Sequence, residues 1–345
     1  MKALTLVATG GIEQLRVQEL PQPAIQSPGH ALVRVQAAGL NRLDLLVAAG
    51  LPGVHYDFPH VVGSDGAGLV EDVGREVGEI RPGDRVMINP TLSCGVCQAC
   101  LAGEESLCIR LQVIGEHSGG TVAEYVVVPA QNLAPVPSAM PWPQAAAFSL
   151  ATLTAWHMLV TRARLGAGET VLVWGIGGGV ALAALQVARL IGAQTIVTSG
   201  SDAKLQAARA LGANLTLNHQ GADVVAEVRR YTEGRGADVV VDSVGEQSWQ
   251  SSLRSLRRGG RLVVCGATTG PMVAIDLRRL FWHQWSILGS TLGSRREYAE
   301  IVARAAQGQL WPVIDQVVPL RGALAAFERL QRSEQVGKLV IEVAQ

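Results

Sequence analysis

No sign of charge predominates in this chain. Its 345 residues include 29 Lys plus Arg and 29 Asp plus Glu, a formal net charge of zero. A nucleic-acid binder usually carries a basic excess or stripe, and neither is visible. Long hydrophobic runs are missing too: no apolar stretch approaches the roughly 20 residues that cross a bilayer. The opening MKALTLVATGG lacks the apolar core and small-residue cleavage site of a secretory signal, so the expected compartment is the cytoplasm. No internal repeat is apparent. Cysteine is scarce, five in all, and four of the five fall in the single stretch CGVCQACLAGEESLC. That distribution argues against a disulfide framework and for thiolate metal ligands.

What is present suits a globular chain of two domains. Hydrophobic residues make up 48 %, enough for substantial cores, and the length exceeds what one ordinary core organises. The first 125 residues read as strands and Gly/Pro turns, with HALVRVQAAGL (30–40) and DRVMINP (84–90) as strands and a helix starting near Asn41. Four prolines in PVPSAMPWPQAAAF (135–148) mark a change of texture. Beyond it strands alternate with helices: ETVLVWG, GVALAALQVARLIGA, QTIVTSG, SDAKLQAARALGA, ADVVVDSVG, QSWQSSLRSLRRGG, RLVVCGA and finally WSILGSTLG. This alternation predicts a parallel, doubly wound sheet. The closing strand GKLVIEV (337–343) is expected to fold back on the first domain.

VLVWGIGGGVALAA places a glycine-rich turn between strand and helix, the context a dinucleotide site requires. Gly175 allows the sharp turn. Gly177, Gly178 and Gly179 let the backbone approach a pyrophosphate at the helix N-terminus. Val180 takes the third glycine position of one register; in the other, Gly175, Gly178 and Ala181 carry the pattern. Ser199 ends the second strand where NAD enzymes usually carry an acid, and Lys204 follows. A hydroxyl and an ammonium suit a 2′-phosphate, so NADPH is expected over NADH, although Asp202 argues the other way.

Cys94, Cys97, Cys100 and Cys108 are spaced C-x2-C-x2-C-x7-C. Four thiolates make a closed tetrahedral zinc site with no position left for substrate. The spacing fits an iron–sulfur cluster poorly.

Taken end to end, the chain resembles the medium-chain dehydrogenase/reductase superfamily. The resemblance is carried by AAGLNRLDLLVAAG, FPHVVGSDGAGLVEDVG, GDRV, the four cysteines, GGTVAEYVVVP, AAAFSLATLTAWHML, the glycine turn, GADVVVDSVG and GKLVIEV. It implies a GroES-like β-barrel catalytic domain (1–125 and 294–345), a Rossmann domain (126–293), and nicotinamide and substrate held between them. In the zinc alcohol dehydrogenase branch, three ligands hold a catalytic zinc. Here their positions carry Asn41, Ser64 and Leu150, with Asp65 in place of the neighbouring Glu. Leu43 and Leu46 fall where that branch has its proton relay. The chain is closer to the quinone oxidoreductase branch, which lacks catalytic zinc, while keeping one structural zinc. By that resemblance Asn41 and Thr152 contact nicotinamide and substrate, and Asp44 anchors the Asn41 loop. His219 faces the adenosine phosphate, and Gly266 and Lys338 line the cofactor site. An improvised metal site from Asp44, Asp65 and His60 or His117 is the alternative.

Other candidates read more plainly. His117 is a loop histidine, solvated or a proton donor. His157 packs on a helix, Cys265 is a small core residue, and Asp242 serves loop structure. Phe281, Trp282 and Trp285 are too many aromatics for ordinary surface; they suit core and a subunit interface, with a lining of the substrate cleft as the alternative. The expected activity is hydride transfer from NADPH to a quinone or other activated C=C bond. Alcohol dehydrogenation, or NADPH binding without turnover, are the alternatives. The expected assembly is a homodimer or homotetramer, with no nucleic-acid or membrane partner.

Overall fold

The structure, a computed structural model, describes residues 1–344 and divides into two compact units, Met1–Ala151 with Gly293 onward, and Thr152–Leu292. The first unit begins with β1 (Lys2–Leu6), β2 (Leu15–Glu19) and β3 (His30–Gly39), followed by α1 (Arg42–Ala49). Then come β4 (His60–Val61), β5 (Asp65–Val73), β6 (Arg85–Ile88), β7 (Thr91–Leu92), the short α2 (Gln98–Leu101), β8 (Gln112–Val113), β9 (Tyr125–Pro129) and β10 (Leu133–Pro135). Two helices follow, α3 (Trp142–Ala146) and α4 (Ser149–Trp156).

The second unit contains β11 (Thr170–Val173), α5 (Gly179–Ile191), β12 (Gln194–Ser199), α6 (Asp202–Ala210), β13 (Leu215–Asn218) and α7 (Val224–Tyr231). It continues with β14 (Ala237–Asp242), α8 (Glu246–Ser255), β15 (Leu256–Val264), α9 (Leu277–His283) and β16 (Ser286–Gly289). The chain then rejoins the first unit through α10 (Arg295–Ala306), β17 (Ile314–Pro319), α11 (Ala323–Gln331) and β18 (Lys338–Glu342).

In the first unit a seven-stranded sheet runs β10-β6-β5-β3-β18-β17, with β9 also paired to β3. The returning strand is thus built into the sheet: β18 lies antiparallel to β3, pairing Val340 with Gly39. Leu4, Leu6, Leu15, Ile88 and Phe327 form its fully buried core. This unit extends past the expected boundary at 125, because β9 and β10 hydrogen-bond into its sheet.

The second unit is a six-stranded parallel sheet in the order β13-β12-β11-β14-β15-β16. That is the doubly wound order in which the strand sequence reverses next to β11. The centres of its inner strands are apolar, as strands covered on both faces must be; every residue of β14 is buried. α5 buries Ala181, Leu182, Ala184, Leu185, Val187 and Ala188 and stops at Gly192 in the left-handed region. One boundary differs from expectation. The RRGG run expected to end a helix instead belongs to β15, which starts at Leu256 with a register shift against β14.

Candidate active site

Three expected residues meet in one buried corner of the first unit. β3 ends at Gly39, and Asn41 caps α1, so the turn from strand to helix brings its side chain toward the start of β5. The Asn41 amide nitrogen donates to Asp65 Oδ2 at 2.9 Å, and Asn41 Oδ1 accepts from the Lys338 ammonium. Lys338 also donates to Asp65 Oδ2 at 2.9 Å. The second Asp65 oxygen accepts the Leu150 backbone N–H at 2.7 Å. Asp65 is wholly buried, and Lys338 and Asn41 nearly so. Asp44 stands beside them. Its Oδ2 accepts the Asn41 backbone N–H at 2.7 Å, while its Oδ1 is buried without a hydrogen-bond partner. Burial pushes the Asp44 carboxyl up to about 7, and the nearby Lys338 charge offsets part of that. The Ser64 hydroxyl is likewise buried and unpartnered.

The nucleotide candidates sit in the second unit. Gly175 and Gly177 adopt φ of 69° and 119°, conformations that favour glycine, and Gly178 caps α5 in extended backbone. A Cβ on Gly177 would stand 2.5 Å from Lys204 Cδ, whereas Gly178 opens on empty space. The Lys204 stem therefore lies across the turn, and α5 opens with Gly179 and Val180, its first N–H groups free of intrahelical partners as at any helix start. Ser199 is buried and accepts the Ser201 N–H at 3.2 Å. Asp202 is tied to Asn218, whose amide donates to it at 2.7 Å. His219 Nδ1 lies 3.3 Å from Thr198 Oγ1, its ring 5.9 Å from Trp174, and burial lowers its pKa. Gly266 follows β15, with the Ser243 carbonyl 3.2 Å from where its Cβ would be. Thr152 is buried on α4.

The four cysteine sulfurs all lie within 4.8 Å of one another. Tetrahedral zinc–thiolate geometry needs sulfurs about 3.8 Å apart, and the Cys94–Cys100 and Cys97–Cys100 separations are 3.9 and 3.5 Å. Backbone N–H groups of Cys94 and Arg110 both donate to Cys108 at 3.3 Å. Backbone hydrogen bonds, the Val96 N–H first, bring the Cys94 thiol down to about 5. Burial and the Cys97 and Cys108 thiols push Cys100 up to about 11. The donor set fits a closed zinc site.

Sequence comparison matches residues 27–138 to an alcohol dehydrogenase GroES-like domain and 179–307 to a zinc-binding dehydrogenase domain. An alcohol dehydrogenase of Geobacillus stearothermophilus is 33 % identical over 332 residues, covering 95 % of this chain and 96 % of that protein. The chain belongs to the medium-chain dehydrogenase/reductase superfamily. A quinone oxidoreductase of Mus musculus is 29 % identical, with 99 % of this chain and 97 % of that protein covered. A solved NAD-dependent alcohol dehydrogenase superposes with a TM-score of 0.95, at 44 % identity over the full length of both chains.

The superfamily's zinc branch makes the fit of a second, catalytic metal the question to ask of the Asn41 corner. The donors do not fit one. Leu150 offers no side-chain donor, and both Asp65 oxygens are engaged by protein groups. Among the described residues the cysteine quartet is the single group of three or more His, Cys, Asp or Glu side chains arranged to hold a metal. His60 Nε2 donates to the Gly115 carbonyl at 2.9 Å, and His117 Nδ1 accepts the Val113 N–H at 3.2 Å, so the improvised site from these residues is not assembled.

Lys338 places its ammonium inside the first unit, on Asn41 and Asp65. The sequence held no local signal for that, since the partners lie 297 and 273 residues away. The Tyr298–Ser149 hydrogen bond of 2.8 Å in the same unit was equally silent. Asp242 serves structure as expected, accepting from Ser248 and Ser252 hydroxyls and from the Val244 and Gly245 N–H groups. Burial pushes the Cys265 thiol up to about 12, although the residue is half-buried rather than part of the core.

Proposed function

We propose that the chain is an NADPH-dependent reductase of quinones or other activated C=C bonds, with zinc confined to the cysteine quartet. The observation that carries this reading is the Asn41 corner. Two of the superfamily's zinc-ligand positions hold Asn41 and Ser64, the third holds Leu150, and Asp65 is already saturated with protein donors. Alcohol oxidation of the zinc type needs three protein donors and an open fourth position. Reduction of an electron-poor carbon needs chiefly alignment.

NADPH, when bound, supplies the hydride from its nicotinamide. The chain's own residues bind and orient. The glycine turn and the N-terminus of α5 take the pyrophosphate, and Lys204, folded across Gly177, adds a positive charge there. Pairing of Asp202 with Asn218 weakens its effect on a 2′-phosphate, and Ser199 keeps its own proton free to donate. His219, its pKa lowered by burial, serves as a neutral hydrogen-bonding group. Asn41 and Thr152 are assigned to the nicotinamide and substrate. The alcohol dehydrogenase relatives favour a second reading, NAD-dependent alcohol oxidation.

Screening NADPH and NADH oxidation against quinones, enones, enals and aldehydes, with zinc measured on the same sample, separates the two. The reductase reading expects one zinc per chain, turnover with quinones or enones, and tighter binding of NADPH. Two zincs per chain with turnover restricted to alcohols and aldehydes overturns it. Asn41→Ala is expected to lower turnover at least tenfold while leaving NADPH affinity within about twofold.

A further inference from the structure

A zinc-type corner normally balances its buried negative charge with the metal. Here the balancing charge belongs to the protein. Asp65 is 0 % exposed, and a carboxylate in such surroundings must be paired or must give up its charge. Its Oδ2 receives the Lys338 ammonium, itself only 4 % exposed, together with the Asn41 amide. The same ammonium donates to Asn41 Oδ1 and so decides which end of that amide faces Asp65. We propose that Lys338 is the resident cation of this corner: it neutralises Asp65, fixes Asn41, and closes the position to divalent metals. Lys338 is a positioning residue in this scheme, acting through Asn41. The inference holds whichever acceptor the enzyme reduces.

The proposal separates from mere packing through its pH dependence. Removing the cation strands the Asp65 carboxylate, which then favours its protonated form in the folded state. The loss of stability must therefore be smallest in acid, grow as the pH rises above the ordinary carboxylate range, and level off once the stranded carboxyl ionises. The titratable groups facing Asp65 are Lys338 on β18, Asp44 on α1 and Tyr298 on α10. Comparing Lys338→Met with Lys338→Met/Asp65→Asn keeps Asp44 and Tyr298 constant and isolates Asp65.

The test is thermal unfolding of wild type, Lys338→Met, Lys338→Arg and the double variant between pH 5 and 8, with metal content measured on wild type and Asp65→Asn after equilibration with excess Co²⁺. Lys338→Met is expected to unfold on the order of 10 °C lower at pH 8, with a deficit that narrows toward pH 5. The double variant should regain most of that loss, and Lys338→Arg should keep most of the stability. A double variant no more stable than Lys338→Met at pH 8, or a deficit that does not change with pH, overturns the proposal. A Co²⁺ equivalent that wild type binds and Asp65→Asn loses overturns it as well.

Discussion

Asp44 has one carboxylate oxygen in use and the other buried without a partner. Folding therefore favours its protonated form, with a carboxyl raised from 3.8 to about 7. Its contribution to stability is complete below about pH 4 and is lost as the pH rises through about 7. Asp44→Asn removes the charge and keeps an oxygen for the Asn41 N–H. The variant should come nearest to wild type at or below pH 4 and exceed it in Tm by several degrees at pH 8, a gap that unfolding curves at the two pH values will measure. The family resemblance paired Asp44 with the Asn41 loop, and both lie in one strand-to-helix turn. Nothing in the sequence pointed to the partners of Lys338, which are set by sheet pairing across almost the whole chain. The glycines of the nucleotide turn were legible for the opposite reason, since their conformation is demanded locally.

Among the elements, the cysteine lobe depends most on something other than burial. Val96, Leu101, Leu107 and Ile109 are each at least 62 % exposed, so little apolar surface holds residues 94–109 in place. The Glu105–Arg295 ion pair ties the lobe to α10, and a metal on four sulfurs would supply the remaining constraint. Stripping zinc with a chelator should open the lobe to limited proteolysis at about residues 95–110, while β3, β5 and β6 stay protected. Equal protease resistance with and without metal would remove zinc from that role. The spacing of the cysteines showed the lobe directly, because adjacent ligands in sequence are adjacent in space. The start of β15 was misjudged, because RRGG carries no hydrophobic pattern and its pairing with β14 is irregular.

On the scale of the whole molecule, β16 is an outer strand of the parallel sheet, paired only on the β15 side among the described residues. The aromatic cluster beside it divides in two. Trp285 is buried, donates to the Arg257 carbonyl at 2.9 Å and stacks on His283. Phe281 and Trp282 are each 66 % exposed, next to exposed Leu277 and Ile287. Exposed apolar groups beside an open strand edge suit a second copy of the chain. Phe281→Glu with Trp282→Lys tests an interface at this edge: the expected outcome is a smaller particle mass in sedimentation velocity without unfolding, and an unchanged mass removes these residues from any interface. No helix is long and apolar enough to cross a membrane among the described residues.

The union of β18 with β3 also sets a timetable for biosynthesis. Asn41 and Asp65 leave the ribosome early, and their charge partner follows nearly three hundred residues later. Contacts of such separation close late and slowly. Until then the acidic corner lacks its counter-charge. Completion of the last strand supplies it.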